Sequence, residues 1–207
     1  MSNIAGVPVR PMSRVDVEIA SLTYLVDQAP EVLREPLELN VDRLLTLSIP
    51  KSHQYKLDLI TAFETAGIEG QMHPAQRLIQ LTESSYSLMC SGNGRARFTA
   101  CHEIGHVLLH HDQFLGMIQN PARMKVQKDL KAYVDPEWQA DYSSSALLMP
   151  FTSVYPLWKD LSKRGAEEDE IADEFVDLYG VSRQAASIRL QKISQSDLAR
   201  LAHHFGL

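Results

Sequence analysis

Residues 97–111 read RFTACHEIGHVLLHH, and four of the chain's eight histidines fall within ten residues of this stretch. His102, Glu103 and His106 spell H-E-x-x-H. On a helix, residues four apart share a face, so two imidazoles can be offered to one ion. Glu103 is rotated about 100° around the axis, from where it can reach a water beside the ion without binding the ion itself. A zinc hydrolase requires this layout. The ion lowers the pKa of water towards about 7, and a carboxylate takes the proton as the water attacks a carbonyl. Ile104, Val107, Leu108 and Leu109 mark the helix as buried. Gly105 costs about 1 kcal/mol in mid-helix relative to Ala, which suits a place where another element presses close.

Such a site needs a third protein ligand. Glu137 and Asp141 stand four apart in PEWQADYSSSALLMP and share a helix face. The natural assignment makes Glu137 the third ligand. Asp141 then accepts the free N–H of a ligand histidine and fixes its tautomer. Taken alone, the pair reads better as acidic residues in the first turn of an amphipathic helix, where the dipole favours them. Beside H-E-x-x-H the ligand assignment is the stronger. The longer H-E-x-x-H-x-x-G-x-x-H pattern is absent, because Leu109 and Asp112 occupy its last two positions. His110 continues the series 102, 106, 110 but drifts roughly 80° from His102. It is open between contacting an oxyanion or substrate and simply packing. Tyr142, like Tyr86 and Tyr133, is open between donating to an oxyanion and packing.

The segment RFTACHEIGHVLLHH followed by EWQADYSSSALLMP resembles the ImmA/IrrE family of zinc metallopeptidases. Members show RFT..HE.GH..LH and then E..A(N/D).FA..LLMP, a likeness covering residues 97–150. The resemblance implies a mainly helical α+β, zincin-like fold with zinc as cofactor. His102, His106 and Glu137 would be its ligands and Glu103 the catalytic base and acid. It also implies a limited, site-specific cleavage inside bacterial cells. The usual target is a helix-turn-helix repressor encoded nearby on a prophage or other mobile element, and cutting it relieves repression. Two departures stand out. Cys101 sits where Ala is usual, and Ser143–Ser144 where Phe-Ala is usual. Both read as packing changes that spare every catalytic group. The competing reading is a non-catalytic protein-binding regulator, an antirepressor or toxin–antitoxin component with a vestigial or structural metal site.

The elements that must position these residues follow from periodicity and punctuation. Residues 13–28 predict a helix capped by Ser13, and 35–49 a second one ending before Pro50. Short alternating runs within residues 55–84 predict two or three strands of a small antiparallel sheet. A helix over about 95–111 follows, then an irregular stretch, then a helix stopped by Pro150. Four further helices are expected in the last third, the final one over residues 196–206. The domain reading is a loose start over 1–12, a peptidase domain over 13–162 and a helix-turn-helix-like region over 163–207 packed on it.

Bulk properties narrow the function classes. At 207 residues the chain can bury a substantial core. It has no run of about 18 apolar residues and no apolar signal segment, so the expectation is a cytoplasmic protein without membrane contact. Two cysteines fit a reducing compartment. The net charge of −6 opposes general phosphate binding. Residues 183–192 do carry Arg183, Gln184, Arg189 and Lys192 on what reads as a second helix of a helix-turn-helix. From residue 164 onward, however, five Lys or Arg face eight Asp or Glu. That balance favours packing or a protein partner over DNA.

Overall fold

The structure, a computed structural model, describes residues 6–61, 67–193 and 201. The last expected helix, over residues 196–206 with His203 and His204, lies outside the described residues apart from Leu201. Helix α1 (Arg14–Gln28) starts where expected: the Ser13 hydroxyl accepts the Asp16 N–H, and the Asp16 carboxylate accepts the Ser13 N–H. Residues 6–12, expected to be loose, bury Val7 and Val9. Their backbone is tied down by bonds from Val9 N–H to the Val134 carbonyl at 2.9 Å and from Met12 N–H to the Tyr133 carbonyl at 2.8 Å.

The second helix differs from expectation. It opens at α2 (Val41–Arg43), where the Asn40 side chain accepts the Arg43 N–H. It then widens into a π turn at Leu44–Ser48 and continues through Pro50 as α3 (Ile49–His53). Pro50 has no N–H to give to the preceding turn, and a widened turn is one way a helix tolerates it.

Strands β1 (Lys56–Ile60), β2 (Gly70–His73) and β3 (Leu78–Thr82) form a sheet of order β1-β3-β2. β2 and β3 make the expected antiparallel pair, but β1 runs parallel to β3. Alternating side chains report which residues share a face; they carry no information on strand order or direction. The sheet is therefore mixed. Thr82 ends β3 and caps α4 (Glu83–Cys90), a helix not anticipated, its hydroxyl accepting the Ser85 N–H.

Helix α5 (Gly94–Gln119) is capped by Asn93 and runs past its expected end near His111, carrying Gly116 within it. Helix α6 (Pro136–Leu148) begins with Asp135 as cap and Pro136 in its first turn. Then come α7 (Phe151–Lys163), α8 (Glu168–Tyr179) and α9 (Arg183–Ile193). Gly180 takes φ 61° to close α8, the left-handed conformation Gly adopts without strain. α5 lies between β2 and α6, and α6 packs in turn on α1. One apolar cluster runs from Leu25 and Ile79 through Ile104 and Leu148 to Phe175 and Leu190, crossing the expected 162/163 boundary without a break.

The crossing of α5 and α6 explains Gly105. A Cβ there would come within 3.2 Å of the Ala140 carbonyl oxygen and 3.3 Å of the Ala140 Cα. Backbone cannot step aside as a side-chain tip can. Gly105→Val should therefore destabilise the protein by roughly 2–3 kcal/mol, or about 4–12 °C in thermal midpoint. A melt matching the unmodified protein would show that α6 yields freely at this crossing.

Candidate metal centre

The close approach at Gly105 brings one face of α5 against the first two turns of α6. His102 Nε2 and His106 Nε2 lie 2.9 Å apart. The Glu137 carboxylate reaches both, at 3.2 Å from His102 Nε2 and 3.7 Å from His106 Nε2. The three donor atoms all fall within 4.8 Å of one another. Asp141, one turn beyond Glu137, sits 2.9 Å from His102 Nδ1. The centre is open on one side: Glu137 and Asp141 are more than half exposed, whereas the His106 side chain is 7% exposed.

Glu103 is 6% exposed and faces the sheet rather than α6. Its carboxylate accepts a hydrogen bond from the Met72 backbone on β2. A Cβ on Gly70 would lie 3.2 Å from Glu103 Cγ, so the missing side chain lets β2 come down over it. β2 is an edge strand of the sheet.

The charges in this cluster reinforce one another. Burial lifts the Glu103 carboxyl above the ordinary carboxylate range, with the charges of His106 and His102 opposing it. Close contact with the His102 and then the His106 imidazole holds Glu137 well below that range. Burial works against a charged His102, but hydrogen bonds to Asp141 and Glu137 and the Glu103 charge outweigh it and raise its pKa to about 10. Three carboxylates around two imidazoles thus gather positive charge at one point.

The donor set fits a metal ion. The Asp141 carboxylate can only accept, so the hydrogen that His102 keeps when a metal ion takes the place of its second proton sits on Nδ1, leaving Nε2 to the ion. Two imidazole nitrogens and a carboxylate oxygen suit zinc and similar borderline ions.

The structure places the other sequence candidates differently. His110 is fully buried, 3.0 Å from His106 Nδ1 and 2.9 Å from the Gln139 amide oxygen. Burial, then the nearby His106, pulls its pKa down to about 3. Tyr142 is 1% exposed, with its ring 6.0 Å from the Arg189 guanidinium and 5.1 Å from Lys192 Nζ. Neither residue has a surface to offer a substrate or its oxyanion: both are enclosed by packing. Cys101, also fully buried, has its thiol pushed up to about 12 by burial and takes no part in the centre. The sequence reading missed Gln139 and the β2 backbone. Gln139, between the two acidic residues, looked like any polar helix position; only its complete burial singles it out.

Two of the cations that could have faced DNA are otherwise engaged. Arg183 pairs with Asp169 and Asp173 across the α8–α9 turn. Arg189 is fully buried against Glu18. No described helix is long and apolar enough to cross a membrane.

A buried glutamate beside a His, His, carboxylate set, on an H-E-x-x-H helix crossed by the next helix, defines a metallopeptidase-like centre. The sequence matches the Peptidase_M78 family, described as the IrrE N-terminal-like domain, over residues 90–191. The match takes in all of α5 to α8 and most of α9. A Mycobacterium tuberculosis transcriptional regulator of known structure shares the fold at 13% identity and a TM-score of 0.58. The likeness covers 88% of this chain and 48% of that one, so this chain spans about half of that protein's length. No curated protein matches the sequence.

Proposed function

We propose that the protein is a zinc-dependent endopeptidase that makes a limited, site-specific cut in a protein substrate, with His102, His106 and Glu137 as ligands. The observation that carries this reading is the convergence of those three donors beside a buried Glu103 that binds none of the ion's positions. When bound, the ion supplies Lewis acidity, polarising the scissile carbonyl and acidifying water. Glu103 Oε takes the proton of the attacking water and hands it to the leaving amine. Met72 N–H holds one end of the Glu103 carboxylate and so aims it. Asp141 Oδ1 orients the His102 ring through its Nδ1. Packing of β2 over Glu103 limits water around the proton carrier.

The substrate we assign is a helix-turn-helix transcriptional repressor, cut to relieve repression. The support is the resemblance of residues 97–150 to a family whose usual targets are of that kind. The competing assignment, a binding regulator that does not cut, has no observation in its favour here. The burial of Arg189 and the pairing of Arg183 speak against DNA as the direct partner.

The ligand assignment has its own test. Glu137→Ala is expected to lose nearly all stoichiometric zinc on elemental analysis, while the wild-type chain carries about one ion. Chelation should lower the melting midpoint of the wild type and leave that of Glu137→Ala unmoved, because only the former has a bound ion to lose. Zinc retained at wild-type level in Glu137→Ala would remove this residue from the ligand set. Cleavage is then read by mass spectrometry on a helix-turn-helix repressor encoded beside the gene. An intact repressor after incubation with zinc-loaded protein would move the function to the non-cutting regulator.

A further inference from the structure

We propose that Gln139 and His110 are positioning residues that decide which nitrogen of His106 carries its hydrogen, so that the bare Nε2 is presented to the metal. The proposal rests on the ligand reading above and extends it to two residues that touch neither metal nor substrate.

The Gln139 side-chain nitrogen donates to the Arg10 carbonyl at 3.0 Å and to the Tyr133 carbonyl at 2.9 Å. Carbonyls only accept, so the amide has one orientation here, with its oxygen turned to His110. That oxygen also only accepts. His110 Nε2, 2.9 Å away, must therefore carry a hydrogen. His110 is fully buried, and its two ring nitrogens are taken by Gln139 and His106 rather than by a carboxylate. A cation at that position would lack an anionic partner in contact, so the ring is neutral and its Nδ1 is bare. His106 Nδ1 faces that bare nitrogen at 3.0 Å and so must donate to it. A neutral His106 with its hydrogen on Nδ1 has its lone pair on Nε2. That is the atom facing His102 Nε2 and Glu137.

The two ligand histidines are thus oriented by different means. His102 gives its Nδ1 hydrogen to Asp141, a half-exposed charge. His106 gives its own to a buried neutral relay that ends on two backbone carbonyls. One carbonyl, Arg10, lies ahead of α1; the other, Tyr133, lies just ahead of α6. The arrangement follows from spacing as well. His110 is one turn beyond His106 on α5, and Gln139 is two residues past Glu137, so the same helix crossing that forms the centre also forms the relay.

The test reads hydrogens directly. The full chain is labelled with ¹⁵N-histidine, stripped of metal, and examined by long-range ¹H–¹⁵N correlation. In the wild type, His106 is expected to carry its hydrogen on Nδ1 and His110 on Nε2. In Gln139→Met the acceptor is gone, and His106 is expected to populate the opposite tautomer. Zinc affinity of that variant, measured with zinc chloride against a chromophoric chelator, should fall about 10–100-fold. A wild-type spectrum with the His106 hydrogen on Nε2 overturns the proposal even if the variant does not fold. So does a Gln139→Met protein with unchanged tautomers and unchanged zinc affinity. Because the tautomers are read without metal, a wild type that binds no zinc would end the peptidase reading and leave the relay standing.

Discussion

Glu103→Gln should keep its zinc and lose peptide cleavage by about 10²–10⁴-fold. The substitution is close to isosteric, so the α5 face and its contacts with β2 survive. The side-chain oxygen can still accept the Met72 N–H. An amide cannot take a proton from water at neutral pH, and that basicity is all the proposed mechanism asks of this residue. Glu103 lies outside the donor group of His102, His106 and Glu137, so zinc content should match the wild type. Elemental analysis and timed mass spectrometry of the substrate check both halves. Cleavage at the wild-type rate in a zinc-loaded variant would remove Glu103 from the chemistry. Zinc lost together with activity would mean that Glu103 helps to hold the ion.

The second large effect is structural. Arg189 on α9 and Glu18 on α1 form an ion pair with both side chains fully buried. The guanidinium donates to the two carboxylate oxygens at 2.9 and 2.7 Å, and its Nε donates to the Met149 carbonyl at 3.0 Å. Glu18 also accepts the Phe151 N–H at 3.0 Å. The pair therefore ties the C-terminal helices to the first helix and to the turn between α6 and α7. Arg189→Met leaves a carboxylate buried without its cation, and the cost should be about 3–5 kcal/mol in denaturant unfolding. Adding Glu18→Leu removes the stranded charge and should recover most of that loss. Recovery should stay incomplete, because the Met149 carbonyl and Phe151 N–H each lose a partner. A single variant within 1 kcal/mol of the wild type would show that water or a rearranged partner reaches Glu18.

These two cases divide what can be read in one dimension from what cannot. His102, Glu103 and His106 are legible because their relation is local. Three residues on one helix have a geometry set by the helix repeat, whatever surrounds them. The first helix was legible for the same reason, since Ser13 and Asp16 bond only to each other's neighbourhood. So was Gly105, whose cost in a helix signals a close neighbour without naming it. Glu137 and Asp141 were legible as a pair on one face, and their link to the histidines came from the need of an H-E-x-x-H site for a third ligand, to which a resemblance then added.

Long-range relations were decided only by the folded chain. Arg189, one of the cations weighed as able to face DNA, is buried because Glu18, 171 positions earlier, supplies the charge that makes burial tolerable. β1 runs parallel to β3 because strand order is a property of the sheet, and alternation within a strand does not encode it. His110, legible as one more histidine on the helix, has its hydrogen placed by an amide held by backbone carbonyls at residues 10 and 133. The sequence by itself determined which helix carries the chemistry and which side chains stand on its working face, because turns and caps act over a few residues. The tertiary structure decided which of those side chains meet, which are sealed from solvent and which hydrogens they carry, because burial and pairing join residues that the chain keeps far apart.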